Sequence, residues 1–316
     1  MSTGGPAPEL LRPESPFCQR WNEGRHSWRH ISEGGFNRRL FDVAPIPEVA
    51  ARAVVERHHY ARTLPAVRMS WGLFTTDDRL VDETTVLVDG RALVGVLCLS
   101  VPMSTAVLTN VFPTLDPFTQ SLELGRLVLI DSVPANAESW FLMRAWRQAA
   151  DLGIRGVVSF ADPLPRRRVT ATVDEHGLTV DRVEVLSPGH VGACYQGAGA
   201  IACGRSTART LLYLPRHGEV LSERTVSKIR LQHSGSGSAE RRIVELGARP
   251  RRRGEDPRVW LRQALDDVGA VRVRHPGNYR YAWPVGDRRI RRTVTIGLLA
   301  TSYPKAATGV LPVPVS

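Results

Sequence analysis

The chain has 316 residues, 42% of them hydrophobic, and so it can bury the core of one or two globular domains. Its formal net charge of +11 rests on 40 Arg and only 2 Lys, a skew that is typical of a GC-rich genome and that also suits phosphate binding. The apolar runs are short and interrupted by charged residues, which excludes a segment that spans a bilayer.

The N-terminal region and the cysteines indicate the compartment. Residues 1–40 are rich in Gly, Pro and polar residues, and we expect an extended arm on the fold or a partly disordered leader. Because no basic start precedes an apolar run, a secretory signal is not expected. Four scattered cysteines without a CxxC pair are typical of the reduced cytoplasm and argue against a zinc finger. The predicted location is therefore cytoplasmic.

The first predicted element is an amphipathic helix. Apolar residues recur at helical spacing from Val49 to Val54, and Pro47 lies where a first-turn proline is tolerated. The helix ends in His58 and His59. One of these histidines has a functional role, or both simply favour the helix dipole as cations.

Strands and a second helix follow. Segments of high β-propensity predict strands at 69–75, 91–101, 122–131 and 156–162. The apolar, Trp-rich segment 139–153 predicts a helix that belongs to the core. Strand, helix and strand in succession form a βαβ unit, whose crossover we expect to be right-handed.

Residues 164–187 have the pattern of an inserted β-hairpin. Apolar and polar residues alternate on both sides of His176 and Gly177. Because the two ends of a hairpin lie close together, this insertion separates Asp162 from His190 in sequence but not in space.

The C-terminal third is basic. Residues 205–293 contain 21 Lys and Arg but only 9 Asp and Glu, a net charge of +12. A strand is predicted at 209–215, and helices are predicted at 222–232, 239–248 and 257–270, with a flexible break at 234–238. The charge predicts a nucleic-acid partner, and the alternative is a solvated Arg-rich surface without a partner.

Aromatic residues are interleaved with arginines in 274–292, a combination that suits stacking on bases while gripping phosphates. The predicted DNA-binding residues are Arg251, Arg252, Arg253, Arg274, Tyr279, Arg280, Tyr281, Arg288 and Arg289. The predicted domains are an arm (1–40), a catalytic core (41–215), a basic and mostly helical DNA-binding extension (216–293) and a tail (294–316), unstructured from Ala300.

Three polar clusters carry the chemistry, namely HHYARTLP (58–65), SFADP (159–163) and GHVGACYQ (189–196). Imidazoles, phenols and carboxylates bind metal ions or transfer protons. If the clusters meet, the predicted catalytic residues are His59, Tyr60, Asp162, His190 and Tyr195. The plainer alternatives are turn capping by Asp162 and packing by His190 and Tyr195.

The order of helix, three strands, helix and strand is that of a GNAT-type acyltransferase core, which predicts a mixed α/β fold with a central mixed sheet. In that fold a strand, a loop and a helix N-terminus hold the pyrophosphate of the cofactor. Arg126 and Ser139 flank this region, although residues 131–139 contain no glycine. They bind an acyl-CoA-like donor, or Arg126 pairs with an acid and Ser139 caps the helix.

Several short motifs in one order resemble the Mom-type DNA-modification proteins of bacteriophages: HHYARTLP, ELGRLVL, AESWFLMRA, GVVSFADP and GHVGACYQ, within roughly 47–215. That family has a GNAT-like fold and is associated with N6-carbamoylmethylation of adenine, which protects phage DNA from host restriction. The resemblance implies that Arg126 and Ser139 match positions assigned to binding the acyl donor or cofactor.

The resemblance also implies the roles of the polar clusters. His59 and Tyr60 match the His-Tyr pair of the family, Asp162 matches the aspartate of its SxADP strand end, and Tyr195 matches the tyrosine of its GHxGxxYQ segment. The family is linked to a bound iron, for which these four residues would be the ligands; a proton relay without metal is the alternative. The family's ADP and GHxG motifs usually lie close together, whereas 164–187 separates them here.

The favoured function is therefore adenine modification by a phage counter-restriction enzyme, acting on double-stranded DNA with the target adenine flipped out. The alternatives are an N-acyltransferase of the same fold, acting on a small amine or protein, and a non-catalytic DNA-binding protein. The missing Gly-rich loop counts against the first, and the clustered ionisable residues count against the second. No membrane partner is expected, and a homodimer is left open.

Overall fold

The computed structural model describes residues 17–22, 25–30, 36–59, 61–187 and 189–305. The chain divides into two compact units. The core unit contains the described residues of Met1–Pro163, Gly189–Ser206 and Asn278–Gly309. The inserted unit contains the described residues of Leu164–Pro188 and Thr207–Gly277.

The strands in chain order are β1 (Phe17–Asn22), β2 (Arg25–His30), β3 (Phe41–Pro45), β4 (Val67–Thr75), β5 (Val86–Val88), β6 (Arg91–Ser100), β7 (Ser121–Leu129), β8 (Gly156–Ala161), β9 (Arg166–Val173), β10 (Thr179–Ser187), β11 (Ile201–Arg205), β12 (Arg209–Leu214), β13 (Glu219–Leu221), β14 (Val271–His275) and β15 (Tyr279–Pro284). The α-helices are α1 (Glu48–His58), α2 (Ala106–Thr109), α3 (Ala137–Asp151), α4 (Ala193–Gly197), α5 (Glu223–Leu231), α6 (Ser236–Glu245), α7 (Pro257–Asp267) and α8 (Arg288–Thr293).

The core unit is built on one mixed sheet with the strand order β11-β15-β8-β7-β6-β4-β3, and β5 pairs with the start of β6. Neighbouring strands are antiparallel except β7 and β8, which are parallel and are joined through α3. This arrangement confirms the predicted mixed α/β fold class, the GNAT-like element order and the βαβ unit.

The two parallel strands separate soon after they begin to pair. Their pairing covers three residues of each strand and ends at Glu123 and Val158, although both strands continue. The hydroxyl of Ser159 donates a hydrogen bond across the start of the gap to the Leu124 carbonyl (3.3 Å). An opening therefore forms at the carboxyl ends of the parallel strands, where open α/β sheets bind their ligands.

Helices α1 and α3 cover opposite faces of the sheet. Along β6, Leu97 and Leu99 pack in the cluster that contains α3, whereas Val96 and Cys98 pack in the cluster that contains α1. Successive side chains of a strand point to opposite faces, so the sheet is sandwiched between the two helices. The Trp-rich helix is part of the core, as predicted, and its Phe141 is fully buried.

The inserted unit begins with the predicted hairpin. Strands β9 and β10 pair antiparallel, with Thr179 opposite Val173 near the turn and Ser187 opposite Arg166 at the open end. The hairpin is hydrogen-bonded to β12 of the same unit, since the Arg167 amide donates to the Tyr213 hydroxyl (2.7 Å). The hairpin prediction is confirmed.

Helices α5, α6 and α7 pack with the three-stranded sheet β13-β12-β14 around a core that includes Leu214, Ile229 and Trp260. The predicted cap of α5 is confirmed, since the Ser222 side chain accepts from the Thr225 amide (3.1 Å). Helix α6 begins at Ser236, inside the segment predicted to be a flexible break. Its Ala239 and Ile243 are buried in this core, which stabilises the helix from its first turn.

The basic region is not a C-terminal extension of the core. Strand β15 lies between β8 and β11 in the core sheet, so residues 207–277 interrupt the core between two strands that pair with each other. The predicted boundaries at 215 and 293 are therefore wrong. Residues 278–293 belong to the core unit. Within them, Tyr281, Ala282 and Trp283 of β15 are buried.

The described part of the predicted tail is bonded to the core. Val294, Ile296 and Leu298 pack against a buried cluster, and the Thr301 amide donates to the Ala202 carbonyl (2.8 Å). The expectation of an unstructured tail is thus wrong for residues 300–305, and residues 306–316 lie outside the described chain. Among the helices that the structure describes, none is long and apolar enough to cross a membrane.

Candidate active site

Asp162 and His190 are brought together where the hairpin leaves and re-enters the core unit. Asp162 follows the last residue of β8, and the His190 amide donates a hydrogen bond to its carbonyl (2.8 Å). The intervening hairpin therefore does not disrupt this geometry, which confirms the prediction that its ends bring the two residues close.

Burial disfavours the charged form of the His190 imidazole. Burial lowers its pKa below the usual 6.5, and the negative charge of Asp162 offsets part of this effect. A neutral ring can accept a proton at neutral pH, and the adjacent carboxylate stabilises the imidazolium that forms. The pair therefore has the electrostatics of a general base supported by a carboxylate.

Tyr195 lies beside this pair on the short helix α4. Its ring centroid is 6.3 Å from that of His190, 5.5 Å from Tyr281 and 5.4 Å from Trp283, with edge-to-face geometry in each case. Gly192 starts the helix with a φ of +76°, and a Cβ there would lie 2.7 Å from the Tyr281 ring. The glycine is thus needed for both the left-handed backbone and the close aromatic packing.

His59 follows the last residue of α1. Its side chain is 7% exposed, and its Nδ1 accepts a hydrogen bond from the Ala61 amide (3.0 Å). Tyr60 lies outside the described residues, so its predicted place in the site stays a prediction. Of the predicted cluster, the structure brings together Asp162, His190 and Tyr195.

Arg126 fixes the loop that follows α1. Its Nε donates to the Thr63 carbonyl (2.9 Å) and its Nη2 to the Thr63 hydroxyl (3.2 Å). At Gly125 a Cβ would lie 2.8 Å from Cγ of Pro65 and 2.3 Å from Oγ of Ser100, so the glycine lets this loop approach β7. These contacts give Arg126 a positioning role next to the strand opening.

Ser139 does not cap helix α3. The helix begins at Ala137 after Asn136, and the Ser139 hydroxyl donates back to the Asn136 carbonyl (3.3 Å). The capping alternative is therefore wrong, since Ser139 lies inside the first turn. Its role as a contact of the donor stays a prediction.

A buried arginine lies beside the N-terminus of α3, the segment for which the sequence predicts a pyrophosphate of the donor. Arg20 of β1 is 1% exposed, pairs with the carboxylate of Glu138 in the first turn of α3, and donates to the carbonyls of Val133 (3.3 Å) and Pro134 (2.9 Å). The N-terminus of α3 thus already has a carboxylate, which disfavours a pyrophosphate at the same position.

Replacing Arg20 by Met is expected to lower the free energy of unfolding by about 3 kcal/mol, because the Glu138 carboxylate would lose its partner in a nearly buried site. Urea unfolding followed by circular dichroism measures the change. The control is Arg52→Met, which breaks an exposed pair with Glu48 (2.5 Å) and is expected to cost less than about 1 kcal/mol. Equal losses in the two variants would contradict a structural role for Arg20.

Glu123 is a functional candidate that sequence reasoning missed. It lies at the last paired position of β7, directly before the strand opening. Burial raises the pKa of its carboxyl to about 7, and the positive charge of Arg126 offsets only part of this effect. A single carboxylate between two buried leucines of β7 was the available signal, since a partly buried acid is rare unless it has a function.

The described residues do not complete the iron site that the resemblance implies. Within the described chain, no three His, Cys, Asp or Glu side chains are grouped as metal ligands. Of the four predicted iron ligands, the structure describes His59, Asp162 and Tyr195, whereas Tyr60 lies outside the described residues, so the iron site stays a prediction. Metal analysis of the purified protein tests the prediction.

The predicted DNA-binding residues differ in their availability. Arg252, Arg253, Arg274, Arg288 and Arg289 are exposed. Their guanidinium groups can therefore reach a phosphate backbone in solution.

Other members of the predicted set are engaged within the fold. Arg251 binds Glu240 (3.1 Å) and the Glu255 carbonyl (3.0 Å), which makes it a structural residue of the inserted unit. Tyr281 is fully buried in the core sheet. Its predicted stacking on a base is therefore wrong, because the ring packs on Tyr195 instead.

Comparison with known proteins gives one family match. The model of the Mom protein family matches residues 40–167. The matched segment contains α1, the strand opening and Asp162, and it ends before His190 and Tyr195. The resemblance to the Mom family is thus confirmed for this segment.

One solved structure in the comparison is a tandem GNAT protein from the clavulanic acid biosynthesis pathway, without AcCoA. It is 10% identical, the likeness covers 78% of this chain and 75% of that chain, and the TM-score is 0.30. No curated protein matches the sequence.

Proposed function

We propose that the chain transfers a carbamoylmethyl group to N6 of adenine in phage DNA and thereby protects that DNA from host restriction. The observation that carries the proposal is the meeting of Asp162, His190 and Tyr195 at the open edge of a Mom-type core. Catalytic groups gather at such edges because the carboxyl ends of strands from different parts of the chain converge there.

In the proposed chemistry, removal of a proton from adenine N6 is coupled to transfer of the carbamoylmethyl group to that nitrogen. Adenine N6 is a poor nucleophile, since its lone pair is delocalised into the ring. In the proposed step a bond forms between N6 and the donor carbon, the bond from that carbon to its leaving group breaks, and the N6 proton passes to His190. Asp162 stabilises the imidazolium, and general-base catalysis of this kind contributes roughly 10²- to 10⁴-fold.

The base must leave the DNA stack before it reacts, at a cost of a few kcal/mol. Backbone contacts offset this cost. Residues 207–277 of the inserted unit contain 15 Lys and Arg against 8 Asp and Glu, and α8 adds exposed arginines in the core unit. We assign these basic surfaces to double-stranded DNA, with affinity that falls as salt concentration rises.

An N-acyltransferase of the same fold is the second candidate, favoured by the GNAT-like sheet. The Glu138 carboxylate at the start of α3 counts against it, because that position would face the cofactor pyrophosphate. Turnover of acetyl-CoA with a simple amine would support this candidate instead.

The proposal is tested by mass spectrometry of nucleosides from the DNA of cells that express the chain. A deoxyadenosine heavier by one carbamoylmethyl group is expected, together with resistance of that DNA to restriction enzymes that have adenine in their sites. Unmodified deoxyadenosine in cells that contain the folded protein would overturn the proposal. DNA binding without modification would identify a non-catalytic DNA-binding protein.

A further inference from the structure

The short helix α8 carries a positively charged face. Its Ile290 is partly buried and lies against Gly286, where a Cβ would be 2.7 Å from Cγ2 of Ile290. The exposed side chains of the helix include Arg288, Arg289, Arg291 and Arg292. Because successive helical residues are rotated by about 100°, these four arginines fall within an arc of about 160° on the side opposite Ile290. They contribute +4 to the formal net charge of +11 of the chain.

Within the described chain, no acidic side chain forms an ion pair with these arginines. The adjacent carboxylate, that of Asp287, caps α8 by accepting a hydrogen bond from the Ile290 amide (2.8 Å). Like charges three and four residues apart on a helix repel one another, and a helix of six residues is too short to offset this repulsion by its own hydrogen bonds. A polyanion bound to this face would remove the repulsion.

Helix α8 lies at the opposite end of β15 from the candidate active site. Strand β15 is antiparallel to β8, with Tyr279 opposite Ala161 near the site and Pro284 opposite Gly156 at the other end. Helix α8 begins four residues after Pro284. At about 3.3 Å per strand residue, roughly 20 Å separate α8 from the site. This distance corresponds to roughly six base pairs of a duplex.

The surface between α8 and the site follows the edge strand β11. Residues 288–305 contain no Asp or Glu, and they run from α8 to β11, where the Thr301 amide donates to the Ala202 carbonyl (2.8 Å). At the end of β11 nearer the site, the exposed Arg205 stacks on the Tyr279 ring at 4.2 Å. A polyanion that lies along β11 therefore meets arginines at both ends of its path.

We propose that α8 is a second binding surface for double-stranded DNA, with the duplex lying along β11 between Arg205 and α8. This inference rests on the proposed function, since the target adenine defines the near end of the path. Guanidinium groups bind phosphate oxygens as a planar fork. Contacts with phosphates fix the position of the duplex but do not read its sequence. The α8 face thus supplies binding free energy that offsets the flipping of the base.

The test measures binding by fluorescence anisotropy, without the donor molecule, using a labelled duplex of about 30 base pairs at several salt concentrations. The double variant Arg288→Gln/Arg292→Gln removes the two arginines nearest the centre of the arc. We expect it to bind about 10-fold more weakly than the intact chain, and the slope of log K against log salt to become shallower by about two. Its melting temperature should not fall, because the change removes a repulsive pair.

The matched control is Arg38→Gln/Arg39→Gln, which removes the same charge from the same unit. Both arginines are exposed and directly precede β3, the strand at the opposite edge of the core sheet from β11. This variant is expected to bind the duplex as the intact chain does. Equal losses of affinity in the two double variants would show that only the net charge matters and would overturn the proposal. Unchanged duplex affinity of the α8 variant, with or without weaker binding of a single-stranded RNA, would also overturn it.

Modification of the same duplex separates the role of α8 from the reaction itself. The α8 variant is expected to need about 10-fold more duplex for half-maximal modification. Its rate at saturating duplex should be unchanged, because α8 is remote from Asp162, and a lower saturated rate would contradict this arrangement. If the intact chain leaves adenine unmodified, the proposed function fails, whereas the anisotropy measurement still decides whether α8 binds DNA.

Discussion

Replacing Asp162 by Asn is expected to reduce the fraction of modified adenine by about 100-fold or more, as measured by nucleoside mass spectrometry. The Asn side chain has nearly the same shape but no charge, so it cannot stabilise the His190 imidazolium. The His190 amide still bonds to the backbone carbonyl of residue 162, and we therefore expect the loop geometry and the melting temperature to be retained.

The control for this change is Asp89→Asn. Asp89 lies in the hairpin turn between β5 and β6 with a φ of +50°, a conformation that Asn tolerates well. This variant is expected to modify adenine as the intact chain does. Similar activity of the two variants would remove Asp162 from the mechanism and leave it as a residue of the strand end.

Replacing Glu123 by Gln is expected to stabilise the protein at pH 8 by about 2 kcal/mol while lowering its activity. The pKa of the Glu123 carboxyl is raised by burial from 4.5 to about 7. The folded state therefore favours the protonated form. The resulting stability is fully present below pH 4.5 and is lost as the pH rises to 7 and above. The neutral amide removes this dependence.

Urea unfolding at pH 4.5 and pH 8 measures the difference. The two proteins should be nearly equal at the lower pH and differ at the higher one. The control is Glu83→Gln, an exposed residue in a turn, for which we expect little change at either pH. A destabilised Glu123→Gln variant at pH 8 would show that the ionised carboxylate is instead paired in the folded protein.

The elements with strong periodicity were predictable from the sequence. The helix that ends at His58 and the strands β4, β6, β7 and β8 lie within a few residues of their predicted bounds, because each has a local pattern set by burial. The hairpin β9-β10 was also predictable, and with it the approach of His190 to Asp162. In these cases the local pattern and the tertiary structure agree.

The place of β15 was not predictable from local pattern. Its residues contain arginines and tyrosines, which also suit nucleic-acid binding, and its partner β11 lies more than 70 residues earlier. The burial of Tyr281 follows from that long-range pairing. The roles of Arg20 and Glu123 were missed for a related reason. Whether a charged side chain is buried, and with which partner, depends on long-range contacts that sequence spacing does not reveal.

The most direct measurement of the central claim is a double-variant cycle on adenine modification. Asp162→Asn, Tyr195→Phe and the double variant are compared with the intact chain by the yield of modified deoxyadenosine. If the strand end and helix α4 serve one reaction, the double variant is no worse than the more damaged single variant, because residues that act as a unit are strongly non-additive. Losses that multiply in the double variant would show that the two residues act independently, and would contradict a single shared site.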